Sequence, residues 1–174
     1  PLYSSAASDV YKRQRCDRIK MANIAQTINV LQALIFTKED KMVLTPTYHV
    51  FNLYKVHHDA LLLPSDLTCD DYILDGENKL SALNGSASKD KNGVIHVSIV
   101  NIDTKNDMML SVDLRGATVK SVSGKILTAP DIGTFNSFDD PDAVVTTDFN
   151  KAKITKEGIS VKIPAKSIVV LELK

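Results

Sequence analysis

The stretch VIHVSIVNI, residues 94–102, decides the fold. Ile95, Val97 and Ile99 fall on one side of an extended chain and His96 and Ser98 on the other, the two-residue period of a strand with one covered face. MMLSVDL at 108–114 repeats the pattern, with Met108, Leu110, Val112 and Leu114 set against Met109, Ser111 and Asp113. In ISVKI at 159–163, Ile159, Val161 and Ile163 alternate with Ser160 and Lys162. The run SIVVLEL at 167–173 is apolar on both sides, Ile168 and Val170 against Val169, Leu171 and Leu173, and reads as a strand covered from two directions. Asp75-Gly76, Asn84-Gly85, Asn92-Gly93 and Glu157-Gly158 are turn signals. Short strands with regular turns and no helix between them predict a mainly β fold, an antiparallel β-sandwich over residues 65–174. Its core should include Val97, Ile99, Leu110, Val112, Val161 and Leu171.

Upstream of Pro64 the pattern changes. Met21, Ile24, Ile28, Leu31, Leu34 and Ile35 recur at spacings of three and four, which predicts an amphipathic helix over Lys20 to Phe36. Ile19, Met21 and Asn23 also permit a short strand running into it. The polar run Lys38 to Lys41 reads as a solvated turn. Thr45 followed by Pro46 predicts a second helix start, because proline at the first helical position forfeits no hydrogen bond. Val50, Phe51, Leu53 and Tyr54 would be its buried stripe. Residues 1–14, PLYSSAASDVYKRQ, are small, polar and aperiodic, and are set apart from the fold as a non-native leader similar to a translated sequencing adaptor.

Composition narrows the function classes. Twenty-one Lys and Arg balance twenty-one Asp and Glu, so the formal net charge is zero and nothing draws the chain to nucleic acid or an anionic membrane. With 44% hydrophobic and 24% charged residues it should pack as a soluble protein. No run approaches the ~18 apolar residues of a membrane span. Cys16 and Cys69 read as two unrelated thiols and leave compartment open. At 174 residues the chain cannot hold a complete (α/β)8 barrel.

Residue chemistry alone points to no catalyst. His57, His58 and Asp59 lie at a helix end without Cys or Glu at ligand spacing, so a surface cluster is expected there and no metal site. Asp139, Asp140 and Asp142 surround Pro141 and read as a turn, lacking the ligand spacing of an EF-hand. There is no G-x-S-x-G elbow and no phosphate-cradling loop. The four glutamates are Glu39, Glu77, Glu157 and Glu172, three of them in or beside turns.

Specific strings carry a resemblance. DRIKMANIAQTINVLQALIFTKEDKMVLTPTYHVFNLYKVHHDALLLP, Asp17 to Pro64, resembles the end of the catalytic barrel in α-L-arabinofuranosidases of glycoside hydrolase family 51. LTAPDIGTFNSFDDPDAVV, Leu127 to Val145, resembles that family's sandwich segment, and IPAKSIVVLEL its last strand. The resemblance implies that residues 15–64 are the end of an (α/β)8 barrel and 65–174 a C-terminal β-sandwich. It implies a retaining hydrolase whose two catalytic glutamates sit on earlier barrel strands, so that no catalytic residue is assigned in this chain. Arabinose-containing poly- or oligosaccharide is the implied partner, with no cofactor, nucleic acid or membrane and with homo-oligomerisation of the parent.

One substrate-binding residue is implied. The family motif places a Gln at the mouth of the last barrel strand, here Gln26 in MANIAQ, where an amide that both donates and accepts suits sugar hydroxyls. Read from periodicity instead, Gln26 is a polar residue on the open face of an amphipathic helix. Asn23 and Asn29 are further candidates. The competing class is a non-catalytic sandwich that braces another domain or binds polysaccharide; 6% aromatic content without Trp favours bracing over a sugar-stacking platform.

Overall fold

The computed structural model describes residues 15–18, 24–73, 75–76 and 78–174. The leader at 1–14 and the strand reading at Ile19, Met21 and Asn23 lie outside them. β1 (Ile35–Lys38) and β2 (Lys41–Leu44) form a hairpin, followed by helix α1 (Pro46–Tyr54) and a 3-10 turn at Lys55–His57. Then come β3 (Leu61–Leu63), β4 (Asp71–Ile73), β5 (Lys79–Ser81), β6 (Leu83–Lys89), β7 (Ile95–Asn101) and β8 (Met108–Asp113). The chain continues through β9 (Val122–Thr128), β10 (Thr147–Asp148), β11 (Lys153–Ile154), β12 (Gly158–Ile163) and β13 (Ser167–Leu173).

The strands build a sandwich. A large sheet runs in the order β10-β9-β13-β7-β6-β3 and a small one in the order β11-β12-β8, each ladder antiparallel. β13 lies between β7 and β9, with Ser167 opposite both Asn101 and Thr128 and Leu173 opposite both Ile95 and Val122. Ile95, Val97, Ile99, Val169, Leu171 and Leu173 face the small sheet and meet Leu110, Ile159, Val161 and Ile163 in the main core. Val112 packs at its margin. On the opposite face, Val100, Ile168 and Val170 are covered by Val50, Leu53 and Tyr54 of α1 and by Val144. β12 opens at Gly158, where φ is 153° and a Cβ would lie 2.1 Å from the Val112 carbonyl oxygen, so only glycine fits.

Three expectations change. Residues 24–34 form no helix: Ile28 bridges to Ile35 and the chain enters a strand. Asn29 and Gln32 sit at φ 52° and 59°, left-handed backbone that interrupts a right-handed helix, and the apparent stripe is not buried, with Leu31 86% exposed. α1 starts as expected at Pro46 with Thr45 as its cap, but Phe51 is half exposed while Val50, Leu53 and Tyr54 are buried. Asn84-Gly85 is not a turn; both residues lie within β6. The turn at Lys38 to Lys41 closes the first hairpin through Glu39, at φ 55°. The large sheet takes in residues from Leu61 onward, through the pairing of β3 with β6.

The β7–β8 crossing is held by a buried polar turn. Asn101, fully buried, donates through Nδ2 to the Asn106, Ile163 and Pro164 carbonyls, and its Oδ1 accepts the Asp103 N–H. Asp103 accepts the Lys105 and Asn106 N–H groups at 2.8 and 2.9 Å and the Asn106 side-chain amide at 2.9 Å. Burial pushes the Asp103 carboxyl up, but these bonds and the Lys105 charge outweigh it and hold the group below the usual carboxylate range. Its charge therefore stabilises the fold above that range, and the contribution is lost as pH falls through the depressed folded value.

Leu171→Ala, at a position with no exposure, is expected to cost about 2–5 kcal/mol in urea unfolding, against less than about 0.5 kcal/mol for the exposed Met109→Ala. Asp103→Asn is expected to lower Tm at neutral pH, and the deficit should narrow as pH drops below about 4 in thermal melts.

Candidate functional site

Gln26 lies on the irregular segment before β1. Its side chain is exposed while its backbone is fixed, the carbonyl accepting the Leu34 N–H at 3.2 Å. Thr27 accepts the Ile35 N–H at 3.0 Å, and the Asn29 N–H donates to the Ile35 carbonyl at 3.1 Å. The Asn29 side chain turns inward on the hairpin, accepting the Thr37 N–H and donating to the Thr37 hydroxyl, both at 2.8 Å. Asn29 is thus a structural brace of its own loop. Asn23 lies outside the described residues.

The hairpin is tied to α1 and to the loop between β9 and β10. The Thr45 N–H donates to the Leu34 carbonyl, and the Thr45 hydroxyl reaches the Ala33 and Leu34 carbonyls at 2.9 and 3.1 Å while capping the helix. Asn136, 7% exposed, donates to the Leu44 carbonyl at 2.7 Å and the Val144 carbonyl at 2.9 Å, and accepts the Val144 N–H at 2.7 Å. Beside this junction lies a groove of about 500 Å³ with Pro46, Thr47, Leu127, Ile132, Phe135 and Val144 among its walls. Ile28, Val30, Leu31, Met42 and Phe51, together with Ile132 and Phe135, leave apolar side chains in solvent around the hairpin, the helix and the loop.

Three of the four glutamates fall among the described residues, on separate elements. Glu39 and Glu157 sit in the turns between β1 and β2 and between β11 and β12, while Glu172 on β13 pairs with Lys174 at 2.5 Å. Glu77 lies outside the described residues. Among the described residues no group of three or more His, Cys, Asp and Glu could hold a metal ion, and no helix is long and apolar enough to cross a membrane. Asp139 and Asp140 belong to a turn in which both N–H groups donate to the Ser137 hydroxyl. Cys69 contacts the backbone of Leu83 through its sulfur.

The His57-His58-Asp59 cluster divides. His58 and Asp59 are exposed, as a surface cluster should be, but His57 is drawn down onto the sheet. Its Nδ1 lies 2.6 Å from the Ser88 hydroxyl on β6, and its Nε2 meets the Ser98 hydroxyl on β7. Below it stands His96, with ring centroids 6.3 Å apart, itself 3.6 Å from Asp90. This pin was not visible in sequence, although Ser86 and Ser88 on β6 and Ser98 on β7 mark a polar strip with which a histidine can pair.

The sequence profile of the alpha-L-arabinofuranosidase C-terminal domain matches residues 10–167. The chain belongs to that family. An intracellular exo-alpha-L-arabinofuranosidase of Bacteroides ovatus is 46% identical to this chain over 171 residues, 98% of the chain and 33% of that protein. The GH51 arabinofuranosidase of Xanthomonas axonopodis pv. citri superposes with a TM-score of 0.94 at 42% identity, over 99% of the chain and 35% of that structure. The thermostable GH51 alpha-L-arabinofuranosidase of Thermotoga petrophila RKU-1 shares the fold, with a TM-score of 0.84 at 21% identity. The chain thus spans about a third of the length of these relatives.

Replacing His57 by Ala leaves two serine hydroxyls under the 3-10 turn without their partner. A loss of about 1–3 kcal/mol is expected, read by urea unfolding with circular dichroism.

Proposed function

We propose that this chain is the C-terminal part of a retaining α-N-arabinofuranosidase that releases terminal α-L-arabinofuranosyl residues from arabinan- or arabinoxylan-type polysaccharides. The observation that carries the reading is 46% identity, along 98% of the chain, to a protein described as an exo-alpha-L-arabinofuranosidase. In this reading residues 15–64 are the end of an upstream (α/β)8 barrel, with β3 at Leu61–Leu63 crossing over as an edge strand, and residues 65–174 are the C-terminal sandwich. The exposed Ile28, Leu31, Met42 and Phe51 fit the first assignment, since apolar side chains in such numbers normally meet a partner surface.

The chemistry would fall to two upstream glutamates about 5 Å apart. One protonates the departing glycosidic oxygen while the other attacks the anomeric carbon, and water then releases the sugar from the glycosyl-enzyme with the first residue acting as base. Gln26 would supply a hydrogen bond to an arabinofuranose hydroxyl from the barrel mouth. Its exposed side chain on a backbone held by Leu34 suits that role, because an anchored main chain lowers the cost of fixing the amide. Such a contact contributes on the order of 1 kcal/mol, far below the ~8 kcal/mol or more that an enzyme supplies.

A bracing or polysaccharide-binding module without catalysis is the second reading. The absence of Trp favours bracing within it. Arabinan pull-down by residues 65–174 alone separates bracing from binding, since retention on the polymer is expected only for a binding module.

This chain alone is expected to release no p-nitrophenol from p-nitrophenyl α-L-arabinofuranoside above the level of a Glu157→Gln control. Turnover abolished by a substitution within the chain would refute the assignment of both catalytic glutamates to the upstream part.

A further inference from the structure

We propose that Asn136, on the loop between β9 and β10, is a positioning residue for the segment that carries Gln26. The proposal rests on the sugar-binding reading of Gln26 given above. Its basis is a continuous run of hydrogen bonds from the sandwich to that segment.

Asn136 grips Val144 through both N–H and C=O, which fixes its amide plane relative to the large sheet, because Val144 is buried against Ile168 and Val170. The remaining Nδ2 hydrogen goes to the Leu44 carbonyl. The peptide unit that offers this carbonyl also carries the Thr45 N–H, which donates to the Leu34 carbonyl at 3.0 Å. Leu34 in turn donates its own N–H to the Gln26 carbonyl. The path Val144, Asn136, Leu44–Thr45, Leu34, Gln26 therefore crosses from sheet to loop to hairpin to the main chain that carries the exposed Gln26 side chain. Each link is a directional bond with a defined donor, so a shift at one end is transmitted as a change of angle along the path.

The residue type is specific. An amide offers two N–H donors to the two carbonyls and an oxygen to the Val144 N–H, a combination that neither a carboxylate nor a hydroxyl supplies. Asn136→Asp keeps the acceptor for Val144 but turns an oxygen toward two carbonyl oxygens, and Asn136→Ala removes all three bonds. Either change frees the hairpin end from the loop without touching the main core of Val97, Val169 and Leu171.

The test has two arms. In this chain, Asn136→Ala and Asn136→Asp should lower hydrogen-exchange protection of the Leu34 and Thr45 amides roughly tenfold, leaving Val97 and Val169 unchanged. Protection unchanged at Leu34, or lost equally everywhere, overturns the proposal. In the full-length enzyme, Asn136→Asp should raise KM for p-nitrophenyl α-L-arabinofuranoside roughly fivefold with kcat held within about twofold, and adding it to Gln26→Ala should cause no further rise. If Gln26→Ala raises KM while Asn136→Asp does not, or if the two effects multiply, Asn136 is not a positioning residue for Gln26. If Gln26→Ala leaves KM unchanged, the reading of Gln26 fails and the proposal falls with it.

Discussion

The structure depends on the two-sided burial of β13. Its odd-numbered residues Val169, Leu171 and Leu173 close the core against the small sheet, while Ile168 and Val170 need cover on the other face. A sheet whose middle strand is apolar on both sides cannot stand as half of a simple two-layer sandwich with one face in water. A third layer must follow, and the sequence before residue 65 supplies it: Val50, Leu53 and Tyr54 of α1 lie over Val100, Ile168 and Val170. The helix and its hairpin are therefore bound to the sandwich by the same hydrophobic requirement that makes β13 its centre.

Polar side chains fix where that third layer sits. Apolar contact is not directional, so burial alone would let α1 slide over the sheet. His57 reaching Ser88 and Ser98, and Asn136 joining Leu44 to Val144, set the position at opposite ends of the helix layer. Both are buried or half-buried bonds between residues far apart in sequence. This division of labour, in which apolar area gives adhesion and a few amide or imidazole groups give register, is how a thin layer can present an exposed segment such as that of Gln26 in one place.

The sandwich was legible because period-two alternation reports a physical face. Val97, Ile99, Leu110 and Val161 recur at period two, and the core follows from that, but β7 is not a strand with one covered face: every residue of it is buried, because α1 and His57 cover Val100 and Ser98 on the other side. The start of α1 was legible because Thr45 and Pro46 act locally. The segment 24–34 was not, because Ile28 and Leu31 of its three-and-four pattern stay in solvent, and left-handed Asn29 and Gln32 leave no trace in hydropathy. Asn84-Gly85 failed for a related reason: the dipeptide favours a turn, but pairing with Val100 and Ile99 across β7 overrides that preference. The roles of His57 and Asn136 depend on partners 31 and 92 residues away, which no local pattern encodes. Gln26 came only from the family resemblance.

The central place of β13 also bears on when the domain can form. Ser167–Leu173 is made after every strand it joins, and it pairs with β7 and β9, which lie some tens of residues earlier. Until those seven residues have left the ribosome, β7 and β9 have no common neighbour and the helix layer has no Ile168 or Val170 to rest on. Assembly of both cores is thus deferred until β13 has been made, and the waiting strands, rich in Val and Ile, must be kept from pairing with other chains in the meantime.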